Sequence, residues 1–426
     1  MKFFKQFDAY YFITLLFILL SSAANFLAAN DIIWFVVLLF FSVFALGKQL
    51  LKIKDLRIIA VLSIAYLAFV GIRDAVINNL AMEYLISDVV FLFKYVYLAF
   101  LYCVIMKDKV AHYFVNVVAH LTVISLFFYT LQLIGLRDYI YAFSESLHLQ
   151  SAYYIDGYTN FILFTYVRGL HDYRNSGFSW EPGAFGCFLI IALMFNLFLN
   201  KFKFDRKSYL FIVAIITTIS TTDYLALIVL VFMVYRYKVP RINWGTVMLL
   251  LMAGGIFIYI PILGDKIMGT YYEDMDDLRR LKYLEIFYKK NNSQIPLNRF
   301  SSMVYLYQTF GWQLILGVSN KYDVIVNSKF NINISNGLFD FMAKFGLVNF
   351  ILLMYQYARF CLANVKKFEF MIYCVLTLLI IGFGEPIMFL PFVLMFIFLP
   401  FEQIRVIKGR VKNFSLDRLG KYGVAR

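Results

Sequence analysis

The chain has 426 residues, of which 62% are hydrophobic, 20% aromatic and only 15% charged. Soluble domains carry about a quarter charged residues, so this composition excludes an ordinary water-soluble protein. In such a protein the formal net charge of +14 would suggest nucleic acid, but in a membrane chain lysines and arginines act as topology signals and headgroup contacts.

The N-terminal stretch MKFFKQFDAYYFITLLFILLSSAANFLAA resembles a secretory signal, yet Asp8 interrupts its basic region and its apolar run is long. It is read as an uncleaved first span. Apolar runs of roughly 17 to 25 residues, each long enough to cross about 30 Å of hydrocarbon as a helix, recur to the end of the chain. Twelve spans are predicted, at about 10–28, 31–47, 56–72, 87–106, 112–136, 182–200, 208–220, 223–236, 243–262, 337–358, 369–384 and 386–402. The seventh and eighth are short and separated only by Ser220-Thr221-Thr222-Asp223, so they form either two crossings or a broken, re-entrant pair.

A cytoplasmic N-terminus makes alternate loops basic: Lys48 to Arg57, Lys107 and Lys109, Lys201 to Lys207, Arg236 to Arg241, Arg359 to Lys367, and the tail after Glu402. Short loops on the other side hold only Arg73. The positive-inside rule therefore puts both termini in the cytoplasm. Two long external loops remain, 137–181 and 263–336, both carrying arginines on the side that this rule depletes. Long loops in a compact protein usually carry function. No repeat or independent soluble domain interrupts the chain, which reads as one all-α, polytopic transmembrane domain over 1–426.

Cys103, Cys187, Cys361 and Cys374 fall in or beside apolar runs, without the spacing of a disulfide framework or a metal site. Lys94 lies inside the fourth span, where an ionisable group is costly; it either snorkels or pairs with Asp88. Glu385-Pro386 reads as a structural turn between the last two spans.

The first long loop ends in RNSGFSWEPGAFG, Arg174 to Gly186, immediately before an apolar run. Pro182 suits the first turn of a helix, Glu181 sits at its cap, and Gly183 and Gly186 leave the backbone bare. Free N–H groups at such a helix start bind anions, and an arginine just upstream can add a bidentate fork to phosphate. A capped helix with a headgroup-facing arginine has the same pattern. The second loop holds LNRFSSMVYLYQTFGWQLILGVSN, in which Arg299 opens an amphipathic helix and Gly311 and Gly317 bound turns. Two external arginines can hold a diphosphate, although a surface helix lying on the bilayer also explains Arg299. Tyr173, Trp180, Tyr305 and Trp312 either stack on sugars or are interfacial aromatics. EDMDD, Glu273 to Asp277, has an Asp-x-Asp spacing but reads as a charged loop face, as do Arg279-Arg280 and Lys289-Lys290.

The motif R-N-S-G-F-x-x-E-P-G-x-F-G, the T-x-S-T-T-D joint and R…W…ILGV followed by ISNGLFDFMAKFGLVNF resemble the O-antigen polymerase (Wzy-type) and O-antigen ligase superfamily over roughly residues 165 to 350. Ligases usually have a His-Asn pair where this chain has Ser335-Asn336, and a Ser-Arg pair where it has Thr222-Asp223, which favours a polymerase. The resemblance implies a membrane-embedded, GT-C-like glycosyltransferase without metal or cofactor, acting on undecaprenyl-diphosphate-linked glycan as donor and acceptor. It also implies a bacterial inner-membrane location, periplasmic placement of both loops, and a chain-length regulator as partner. Ligation to a lipid core, or flipping of the same lipid, are the alternatives.

Loss of polyprenyl diphosphate develops negative charge, which prepositioned arginines and helix N–H groups stabilise. Arg174 and Arg299 are the candidate catalytic arginines. Glu181 or Asp340 is the candidate acceptor of the hydroxyl proton in an inverting attack, and Glu181 equally suits capping or orienting an arginine. Arg168, Gly183, Tyr305 and Asp340 complete the candidate substrate-binding set.

Overall fold

A computed structural model describes residues 8–77, 82–149, 157–169, 171–239, 295–319 and 332–401, with single positions between 272 and 283. These are mostly helical: α1 (Ala9–Ser21), α2 (Phe26–Ala29), α3 (Asp31–Gly47), α4 (Ile53–Val76), α5 (Met82–Phe91), α6 (Leu98–Met106), α7 (Val110–Leu131), α8 (Arg137–Ser146), α9 (Pro182–Leu199), α10 (Arg206–Thr218), α11 (Thr221–Lys238), α12 (Arg299–Phe310), α13 (Gly337–Val365) and α14 (Phe368–Gly384). Two short strand pairs lie in the long loops. β1 (Tyr158–Asn160) and β2 (Thr165–Val167) are antiparallel; β3 (Ile295–Leu297) and β4 (Ile332–Ile334) are parallel, with Ile295 opposite Ile332.

Four helical stretches among the described residues are long and apolar enough to cross a membrane: Ile53–Val76, Met82–Ser146, Pro182–Leu199 and Gly337–Val365. Shorter apolar helices stand at Ala9–Ser21, Asp31–Gly47 and Phe368–Gly384. The outer helices expose large apolar side chains, such as Ile32 (73%) and Phe35 (68%) on α3 and Ile64 (68%) on α4. Water would not tolerate such continuous faces, whereas lipid does. A helical, membrane-associated protein is the class that results.

Individual spans differ from expectation. The first breaks after Ser21, because the Asn25 amide donates to Leu19 O and Ser22 Oγ while its oxygen accepts from the Ala28 N–H and starts a new helix. The predicted twelfth span begins with a turn through Leu390; helix first appears at Pro391–Leu394, followed by a 3-10 turn at Met395–Ile397, with Ile387, Met388 and Leu390 all buried. The ninth span and the basic tail lie outside the described residues. Lys94 pairs with Asp31 (2.5 Å) rather than Asp88. Asp88 is taken instead by Arg73, which is fully buried in the last turn of α4 and also bonds Asp74.

The core is built around α9. Its side chains are buried from Pro182 to Leu197, as its unbroken apolar sequence requires, and it packs against α7, α10, α11 and α14. Its C-terminal end meets the start of α10, where the Asn196 amide donates to Asp205 (2.6 Å). Its N-terminal end meets the start of α11, through Gly186 and Asp223. Helices α10 and α11 thus run antiparallel to each other beside α9, joined at Ile219–Ser220 with Ile219 in the left-handed region (φ 51°). Arg236 near the end of α11 bonds Glu369 at the start of α14, while Thr222 touches Gly384 at the end of α14. One end of the bundle gathers the basic turns; the other gathers the starts of α9, α11 and α13 and the ends of α10 and α14.

The second loop is fastened to that latter end. Helix α13 breaks at Gly346 (φ 87°), whose backbone lies against Leu316 and Gly317 so closely that a Cβ at Gly317 (φ 77°) would sit 2.5 Å from Gly346 N. The bared carbonyls of Ala343 and Lys344 accept from the Val318 and Ser319 N–H groups (2.7 and 3.0 Å).

Candidate functional site

Arg174 is held by short bonds from two directions. Ser125 of α7 donates to Asn175 Oδ1 (2.6 Å), Gln132 donates to the His171 and Asp172 carbonyls (2.9 and 2.7 Å), and the Asn175 N–H donates to Thr217 O (3.0 Å). The Arg174 Nε–H then donates to Thr218 O (3.1 Å), the last residue of α10. Its terminal nitrogens make no ion pair with a described residue.

Arg299 has the same design on the opposite side. Its Nε–H donates to Gly384 O (3.1 Å) at the end of α14, and Nη2 lies 3.7 Å from Glu385 Oε1, with the side chain 40% exposed. Asn336 donates to Arg299 O (3.0 Å) and caps α13 by accepting from the Phe339 N–H, while Ser335 donates to Leu297 O (2.7 Å). Ser335 and Asn336 therefore join α12 to α13. Each arginine uses its Nε on a helix C-terminal carbonyl, a favourable place for a cation; among the described residues the terminal nitrogens of Arg174 make no ion pair and Arg299 Nη2 faces only Glu385, at 3.7 Å.

Between them lie three helix N-termini and three carboxylates. Glu181 precedes Pro182 in extended conformation and makes no capping bond; its Oε1 instead accepts from the Trp180 indole (2.9 Å). Gly183 and Gly186, one helical turn apart, are covered by carboxylates. A Cβ at Gly183 would lie 1.9 Å from Glu385 Oε1, and one at Gly186 would lie 1.9 Å from Asp223 Oδ2. The charges of Arg174 and Arg299 both act on Asp223, so the two guanidinium groups share one carboxylate neighbourhood. No donor among the described residues reaches Asp223 Oδ1 or Glu385 Oε2, although both residues are buried.

Burial, reinforced by the Arg174 charge, pushes the His171 imidazole down to about 4. It is neutral at pH 7. Glu385 is pushed well above the carboxylate range, first by burial and then by the neighbouring Glu181 charge. Burial also acts to raise Glu181, but hydrogen bonds from Glu385 and Trp180 and the Arg299 charge outweigh it and hold that carboxyl below its usual value. Beside Arg299 a cavity of about 400 Å³ opens between α11, α12, α13 and α14, lined by Thr222, Leu225, Phe300, Leu338, Ile380 and Phe383.

The other sequence-derived candidates stand apart. Arg168 is largely exposed and pairs with Asp138 (3.3 Å) over the Tyr141 ring. Asp340 is buried against Lys344 (3.3 Å). Tyr305 is buried in a small apolar core with Leu306, Phe310 and Val318, rather than in the cavity. Two residues of the cluster were read from sequence only as part of a joint and of a turn, Asp223 and Glu385. The available signal was an acid at the edge of an apolar run, on the side of both long loops.

Comparison with known proteins yields no matching family model, no matching curated protein and no matching solved structure.

Proposed function

We propose that this protein is a membrane-embedded glycosyltransferase, and within that class a polymerase that joins polyprenyl-diphosphate-linked oligosaccharide repeats into O-antigen or a related surface polysaccharide. The observation that supports this reading is that Arg174 and Arg299, from the two long loops, bond the C-terminal carbonyls of α10 and α14 on either side of the start of α11, where both charges act on Asp223. Available guanidinium donors beside helix N-termini suit a diphosphate, and a leaving diphosphate gains most from donors already in place. The sugar hydroxyl of an acceptor repeat attacks the anomeric carbon in line, inverting it, as the diphosphate departs toward the arginines. The apolar cavity beside Arg299 suits the start of the lipid chain. On this reading the arginine end faces the periplasm, the basic end and both termini face the cytoplasm, and a chain-length regulator is a partner.

Arg174→Ala or Arg299→Ala tests it on a gel of the surface glycan. A polymerase defect leaves one repeat on the lipid core, a ligase defect leaves none attached, and a flippase defect strands repeats on the inner leaflet. Lysine at either position also impairs polymerisation, since a point charge lacks the bidentate fork. A full ladder from both alanine variants would refute the assignment.

A further inference from the structure

We propose that Glu181 and Glu385 work as a carboxylate–carboxyl pair, in which Glu181 accepts the proton of the attacking hydroxyl and Glu385 positions it. The inference rests on the polymerase reading and adds a proton acceptor to it.

The geometry comes from two chain segments far apart in sequence. The turn after α14 carries Glu385 onto Gly183, where only a glycine leaves room, and its side chain is 4% exposed. Glu181 is half-buried beside it, with one oxygen fixed by Trp180. Glu385 Oε1 lies over Gly183, two residues from Glu181, so the two carboxyl groups act on each other at the start of α9, and no donor among the described residues reaches Glu385 Oε2. Two carboxylate oxygens in that contact need one proton between them. The deeper group holds it, which leaves Glu181 ionised and the more accessible of the two. The titratable and charged groups facing the pair are Arg299, Asp223 and His171, with Cys187 beneath them.

In the reaction the acceptor oxygen forms a bond to the anomeric carbon. The bond from that carbon to the diphosphate oxygen breaks, and its electron pair leaves on the diphosphate. The hydroxyl proton passes to Glu181, and from there to water once the product has left. Glu385 keeps its own proton and donates to Glu181 throughout.

The test uses the purified full-length protein and the undecaprenyl-diphosphate-linked repeat extracted from cells lacking it, with extension rates followed against pH. E181Q is expected to lower kcat by about 100-fold or more with KM little changed. E385M removes the donor, so Glu181 ionises less readily; kcat falls and the acidic limb of the profile moves to higher pH. E385Q supplies an N–H donor in place of the carboxyl O–H and returns the limb to its wild-type position with part of the rate. A packing role for Glu385 would not move the limb. Wild-type kcat in E181Q, or an unmoved limb in E385M, overturns the pair while leaving the polymerase intact. Failure of the wild-type protein to extend the repeat removes both readings. Should E385M not accumulate, E181Q decides alone.

Discussion

Arg73, in the last turn of α4, and Arg299, in the first turn of α12, are both arginines beside carboxyl groups, and their surroundings differ. Arg73 is fully enclosed, bonds Asp74 through Nε (2.9 Å), and grips Asp88, which also accepts from Tyr66 (2.9 Å) and Ser319 (2.7 Å). Its charge is matched on all sides, and Ser319 ties the second long loop into the same cluster. Arg299 is 40% exposed, holds a helix carbonyl, and stands 3.7 Å from the buried Glu385 carboxyl. A guanidinium enclosed between two carboxylates holds the fold together; one that is part-exposed beside a cavity can hold something else.

Breaking this contrast starts with Arg73. Removing one partner from a buried ion cluster leaves uncompensated charge, so Arg73→Met is expected to cost about 3–5 kcal/mol, seen as loss of protein from membranes or a lowered Tm in detergent. Arg174→Ala and Arg299→Ala should do the reverse, leaving Tm nearly unchanged while cutting polymerisation by roughly 10²–10³-fold, as expected for a lost charge-stabilising donor. Gly186→Ala comes next: its Cβ would fall 1.9 Å from Asp223 Oδ2, so that side chain has to move. A stability loss of about 1–3 kcal/mol, seen as a lowered Tm in detergent, should accompany lower activity. The smallest effect concerns His171. Its folded pKa, about 4, lies below the unfolded value near 6.5, so the unfolded chain binds more protons between those pH values. Acidification from 6.5 to 4 therefore lowers stability, and His171→Gln should flatten that part of a Tm-against-pH curve while leaving the pH 7–8 region unchanged.

Some of the site was legible without coordinates. Pro182 at a first turn, Glu181 before it and Gly183 and Gly186 behind it are a local pattern, and α9 begins at that proline. Arg299 opens α12 as its amphipathic sequence indicates. Tyr305 and Arg168 show the limit of that kind of reading. Loop position suggested sugar contact, but α12 turns Tyr305 toward Leu306 and Phe310, and Arg168 reaches outward to Asp138. Which face of a loop helix is covered depends on what folds over it, and Gly317 against Gly346 decides that here.

The amino-acid sequence by itself determined the solvent and the position of most long helices. Apolar runs with few charges must satisfy their backbone internally in lipid, and helices do so. Only the tertiary structure decided which ionisable groups meet: Lys94 with Asp31, Arg73 with Asp88, and Arg299 with Glu385. Hydropathy and capping act over one or two helical turns, whereas these encounters join separate segments of the chain. They exist because close-packed helices bring particular ends together, and in this bundle glycines at 183 and 186 let carboxylates approach α9 where any larger residue would hold them off.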